Sequence, residues 1–120
     1  NNSTPYIIDW ETATIGNSSI DFFNSAWFLT ADADEEKYKA FANSYFKTNE
    51  FKDNINISAY SAIIEECNWL EFSLKRALAI ESNNINEINL GKDSIKDSLT
   101  EIINYYNKIP MMLKYCEDCM

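Results

Sequence analysis

PYIIDWETATIGNSSIDFF, residues 5 to 23, stands near the start of a chain that otherwise reads as helix after helix, and it breaks that pattern. Tyr6, Ile7 and Ile8 make an aromatic and β-branched run with strand character, and Pro5 before them suits a strand's first residue or an edge. The run stops at Asp9. A carboxylate that follows a buried apolar strand must be hydrogen-bonded, paired or on a metal, because an isolated buried charge is strongly unfavourable. WETATIGNSS then reads as a loop, with Gly16 and Asn17 as its punctuation. The expected order is therefore one short strand, a loop, and helices to the end.

The chain has 120 residues, 46% of them hydrophobic, enough for one domain with a real core and too few for two comfortable ones. We read residues 1–120 as a single domain, with strand and loop over 1–17 and helices over 18–120. A formal net charge of −9 argues against general affinity for nucleic acid or for anionic membranes and favours cationic partners. No apolar run approaches a membrane span, and NNSTPYIID has neither the basic start nor the apolar stretch of a signal peptide, so a cytoplasmic location is expected. The three cysteines, Cys67, Cys116 and Cys119, are expected to be reduced. Cys116 and Cys119 form a CxxC, but the chain has no second CxxC and no histidine with which to complete a tetrahedral zinc site.

Beyond the loop, Ser18 or Ser19 can cap a helix that buries Ile20, Phe23, Ala26, Trp27 and Phe28 and ends near Thr30. Asp32 or Asp34 is the expected N-cap of a second helix, reaching Phe46 and using Tyr38, Phe41, Ala42, Tyr45 and Phe46. Ser58 is the expected cap of the longest helix, AYSAIIEECNWLEFSLKRALAIE, with Ile63, Ile64, Cys67, Leu70, Leu74, Ala77 and Leu78 on its apolar face. SNNINEINLGKD reads as a polar connector. SIKDSLTEIINYYNKI is a further amphipathic helix carrying Ile95, Leu99, Ile102, Ile103 and Tyr106; Pro110 is expected to end or kink it before a short last helix.

The missing residues narrow the chemistry. Without histidine, the Ser-His-Asp, Cys-His and HExxH mechanisms are excluded within the chain. With only Gly16 and Gly91, neither a GxGxxG nor a Walker loop can be built.

The stretch IIDWETATIGNSSIDFF nevertheless resembles the metal-binding segment and following helix of the aminoglycoside phosphotransferase and choline kinase superfamily. These are small-molecule kinases with a protein-kinase-like fold. Their pattern of apolar strand, Asp, aromatic residue, Glu, Gly-containing loop and helix-opening Asp is matched by Ile7, Ile8, Asp9, Trp10, Glu11, Gly16 and Asp21. NWLEFSLKRAL and EIINYYNKIPMML are similar to the helical C-terminal end of bacterial members. The resemblance implies that Asp9 coordinates the magnesium that bridges the ATP phosphates, and that Asp21 braces the catalytic-loop backbone from the next helix. Glu11 is a further candidate near the metal. It also implies a mainly α chain, the C-terminal lobe part of a kinase that transfers the γ-phosphate to a hydroxyl of a small cationic acceptor, aminoglycoside-like or choline-like. The HGD-type catalytic loop, its downstream Asn, the nucleotide-binding lobe and the phosphate-gripping Lys of that family have no counterpart here. The chain alone is therefore expected to be inactive and not to bind ATP·Mg²⁺ tightly, and apolar surface around Tyr6 to Trp10 is expected to drive self-association.

Locally, each of these residues has a plainer role. Asp21 can be a first-turn acid that complements the helix dipole, and Trp10 can be a packing residue. Trp27, Trp69 and Phe72, at helical spacing, read as core packing, with an aromatic box for a choline-like cation as the alternative. Glu65, Glu66 and Glu71 read as a solvated face, or as one that meets a polycationic substrate, with Lys75 and Arg76 offsetting part of their field. The competing function class is a non-enzymatic acidic helical module that binds a basic partner.

Overall fold

The computed structural model describes residues 4–5 and 16–120. The predicted strand at Tyr6, Ile7 and Ile8, and with it Asp9, Trp10 and Glu11, lies outside the described residues. Among those described, every regular element is an α-helix: α1 (Ser18–Leu29), α2 (Glu35–Tyr45), α3 (Ile55–Ser58), α4 (Ser61–Ala77) and α5 (Ile85–Cys119). The mainly α architecture is as expected, and no helix among the described residues is long and apolar enough to cross a membrane.

Helix α1 buries Phe22, Phe23, Ala26 and Trp27, a stripe that repeats one helical turn apart. Phe28, expected on that stripe, points outward with 73% of its surface exposed. The helix is stopped by backbone geometry: Ala31, Asp32 and Ala33 have φ of 52°, 58° and 56°. This left-handed turn reverses the chain, held by Asp32 N–H donating to the Trp27 carbonyl (2.9 Å) and Asp34 N–H to the Thr30 carbonyl (2.8 Å). The Asp34 side chain then accepts from Lys37 N–H (3.2 Å) and opens α2, one of the two predicted caps.

Ser58 does not cap the long helix. Its hydroxyl donates to Asp53 Oδ2 (3.0 Å) and lies 2.6 Å from that of Ser19, which also donates to Asp53. This buried polar knot ties the first turn of α1 to the loop before α3, so α4 starts later than expected, at Ser61.

The residues read as a polar connector are largely helical. Asn84 accepts from Asn86 N–H (2.9 Å) and caps α5, which starts at Ile85, nine residues before the predicted point, and the helix runs on through Pro110. A proline inside a helix leaves the carbonyl four residues earlier without its usual donor. Here that residue is Tyr106, which is 59% exposed on the outer side of α5, and the helix continues through the proline.

The core gathers Phe22, Phe23, Ala26 and Trp27 of α1, Tyr38 and Ala42 of α2, and Phe51, Ile55 and Ala59 of the following segment. They pack against Tyr105, Ile109, Met112 and Cys116 on the second half of α5. Phe22 is ringed by Phe23, Tyr38, Phe41, Tyr45, Phe46 and Phe51, with centroids 4.8–6.3 Å away. Tyr105 donates to the Ala59 carbonyl (2.6 Å), and Lys108 Nζ reaches the Ala33 carbonyl (3.3 Å) under the left-handed turn. Among the described residues, every buried side-chain polar atom has a partner.

The first half of α5 pairs with α4 as an antiparallel hairpin that projects from this core. A Cα radius of gyration of 17.2 Å, against about 13 to 14 Å for a compact chain of this size, records the projection. Gly91 permits the close approach: a Cβ there would come within 2.5 Å of Ala77 N and 2.7 Å of the Ser73 carbonyl. On the hairpin, Ser73 is the buried residue of α4. Ile64, Cys67, Leu74, Leu78, Leu99, Ile103 and Tyr106, all expected to be buried, are exposed. Their helical periodicity is real, but the surface they face carries no other element of the described structure.

Candidate functional site

The concave feature with convergent chemistry is a groove in which α1 lies against the α4–α5 hairpin. Its open part is about 500 Å³, and a tighter recess of about 70 Å³ continues beneath it toward α1. One wall comes from α4, whose Trp69, Phe72 and Arg76 fall at i, i+3 and i+7 and so share a face. The opposite wall is α5, where Ser94, Asp97, Ser98 and Glu101 repeat at the same spacing. Phe28 of α1 closes the near end, and Trp27 and Tyr105 floor the recess.

Two carboxylates are held rigidly. Glu101 Oε1 accepts a 2.5 Å hydrogen bond from Trp27 Nε1, and Glu66 Oε1 accepts one of 2.7 Å from Ser98 Oγ. Each thereby keeps its second oxygen without a partner among the described residues. Asn24 orders the rim, donating to Glu65 Oε2 (3.2 Å) and accepting from Ser61 (3.3 Å). Three acids, Glu66, Asp97 and Glu101, and one base, Arg76, line the open groove, a balance of two negative charges. Trp69 and Phe72 meet edge to face at 6.1 Å and are 58% and 47% exposed. The Trp69 face, left open beside fixed carboxylates, suits an organic cation, which gains from the ring quadrupole and from the anionic field together. The Arg76 guanidinium already shows the fit, lying 5.3 Å from the Phe72 centroid.

The expectation of core packing therefore holds for Trp27, buried to 2% exposure, and fails for Trp69 and Phe72. It fails because α4 turns only the narrow Ser73 edge into the hairpin, aided by Gly91, and leaves its aromatic edge facing the groove. Glu66 is bonded into the groove wall, whereas Glu71 pairs with Lys75 on the surface (3.0 Å), the partial charge offset expected along this helix. Sequence reading overlooked Asp97 and Glu101 and assigned Phe28 to the core face of α1. The available signal was the SxxDSxxE repeat of residues 94–101, a polar stripe opposite the apolar one.

Of the metal-site candidates, Asp9 and Glu11 fall outside the described residues. Asp21 is exposed in the first turn of α1 and makes no hydrogen bond or ion pair there with other described residues. No group of three or more potential metal ligands comes together among the described residues. All three cysteines are free; Cys116 is buried against the Tyr38 hydroxyl (3.6 Å), and burial pushes its thiol up to about 11, away from nucleophilic use. No family model, curated protein or solved structure matches the chain.

Proposed function

We propose that the chain is the helical C-terminal part of a small-molecule kinase of the aminoglycoside phosphotransferase and choline kinase type. In this reading the whole protein moves the γ-phosphate of ATP to a hydroxyl of a small organic cation, which lies in the groove between α1, α4 and α5. The observation that carries the reading is that one helix, α1, joins the Asp21 end of the kinase-like segment to the groove. Helix α1 opens after the Gly16 loop with Asp21 in its first turn, as the kinase pattern requires, and two turns later presents Phe28 to the groove. At 1.5 Å per residue, Asp21 and Phe28 are about 10 Å apart along the helix, a span that a small acceptor bridges.

In this assignment Asp9 is the carboxylate that would ligate magnesium, and bound magnesium would supply charge neutralisation on the phosphates. Glu66 and Glu101 would anchor the acceptor's ammonium group, and Trp69 and Phe72 would shield it from water. The chain by itself lacks a general base and a phosphate-gripping lysine and turns nothing over.

The test is an assay of ATP consumption by the product of the whole reading frame that contains this chain, with amino sugars and quaternary amino alcohols as acceptors. Acceptor-dependent ADP release that is lost in Trp69→Ala supports the reading. A product that consumes no ATP with any of these acceptors, while binding basic peptides, replaces it with the acidic-module alternative.

A further inference from the structure

Arg76 sits where the groove ends. Its Nε donates to Glu87 Oε2 at 2.9 Å, and Nη2 reaches the same oxygen at 2.7 Å, so both arms grip a single carboxylate from the first turn of α5. The guanidinium lies over the Phe72 ring, and the side chain is only a quarter exposed. Arg76 lines both the open groove and a separate hollow of about 110 Å³ on its other side, bounded by Glu81, Ser82 and Glu87. Arg76, together with Phe72, which also lines both, is thus the partition between them.

We propose that Arg76 is a specificity-determining residue: a built-in cation that fills the far aromatic position and makes the groove select organic cations with one charged centre over longer dications. The inference rests on the groove being a cation site and adds which cations it takes. A ligand's first ammonium group at Glu66 and Glu101 meets free carboxylate oxygens and the face of Trp69. A second, carried along the groove, meets a Phe72 face already covered and a like charge fixed in place. Such juxtapositions are strongly unfavourable and serve to reject wrong partners. Beyond the partition stand Glu81, Glu87 and Lys75; Lys75 is paired with Glu71 (3.0 Å), so with Arg76 neutral the two acids outweigh it and favour a second cation. The guanidinium therefore converts a potential two-cation channel into a one-cation groove.

The experiment is calorimetric titration of the chain with hexyltrimethylammonium and hexamethonium, which share a six-carbon spacer and differ in the second charge. Trp69 and Arg76 are about 10 Å apart along α4, so the extended spacer spans the groove. Wild type is expected to prefer the monocation by at least about tenfold in Kd. Arg76→Gln keeps the stem that packs beside Gly91 and removes the charge; the wild-type preference should then fall by at least about tenfold, hexamethonium tightening more than the monocation. Arg76→Lys, with charge retained, should keep the wild-type preference, and circular dichroism verifies the fold of each variant. An unchanged preference in Arg76→Gln, with binding of both cations lost in Trp69→Ala, overturns the role of Arg76 and leaves the cation groove standing. Binding that survives Trp69→Ala, or no binding of either cation, overturns both.

Discussion

Trp27 and Glu101, separated by 74 residues of sequence, meet through a 2.5 Å hydrogen bond from the indole Nε1 to Oε1, and this contact joins the core to the groove. The indole is buried to 2% exposure, packed edge to face on Tyr105 at 5.0 Å. Its N–H makes no other hydrogen bond among the described residues. Glu101→Ala should therefore cost about 1 to 3 kcal/mol, the penalty of a buried unsatisfied donor. Glu101→Gln, which keeps a carbonyl acceptor and loses the charge, should retain most of the stability and weaken cation binding. Urea melts and cation titrations of the two variants separate the two effects.

Gly91 should tolerate no side chain. Alanine is the better helix former by about 1 kcal/mol, but its Cβ would meet the α4 backbone at Ala77 and Ser73 and force the hairpin apart. We expect Gly91→Ala to lower stability by a net of about 1 to 3 kcal/mol and to abolish groove binding, since both walls move. Chemical denaturation and the same calorimetric titration measure the two consequences.

The left-handed turn offers the opposite sign. Ala31 is exposed at φ 52° without a local side-chain bond to favour that conformation, and glycine occupies it without the Cβ penalty. Ala31→Gly should raise the melting point, a gain of about 0.5 to 1 kcal/mol after the larger entropy of the unfolded chain is set against it. A fall in the midpoint would show that the turn is not built as described.

Alkali should unfold the chain through three buried acids. Burial raises Tyr38 and Tyr105 well above the usual tyrosine value of 10.0, and raises Cys116 from 9.0 to about 11. Below about pH 8 both folded and unfolded states keep these protons, so stability is unaffected by them; the unfolded cysteine is the first to lose its proton, around pH 9. Above pH 9 to 10 the unfolded state gives them up first, binds fewer protons than the native state, and is favoured. Each such group lowers stability by about 1.4 kcal/mol per pH unit across its window. Urea midpoints measured from pH 7 to pH 11 should fall beyond pH 9, with a shallower fall in Tyr38→Phe.

How far the sequence could carry the structure depends on what each helix packs against. For α1 and α2, short periodic stripes such as Phe23, Ala26 and Trp27 or Tyr38 and Ala42 face a common core, and those buried positions were legible. For α4 and the first half of α5, an apolar period was equally clear, but periodicity states only that a face is apolar. Leu74, Leu78, Leu99 and Ile103 stay exposed because no described element covers them. Asn84 acted as a cap inside a polar run, and Pro110 fell where Tyr106 faces water, so both boundaries moved. The groove escaped notice because its walls come from separate helices far apart in sequence, and the close crossing at Gly91 aligns Trp69 and Phe72 with Asp97 and Glu101.

The most direct test of the kinase assignment is the magnesium-dependent turnover of Asp9→Asn in the product of the whole reading frame, compared with wild type at saturating acceptor. The amide keeps the shape of the carboxylate and removes its charge, so the account predicts an unchanged thermal midpoint and unchanged acceptor binding. Turnover should fall by at least about a hundredfold, the loss typical of a group that acts on developing charge. Turnover near wild type at ordinary magnesium would contradict it.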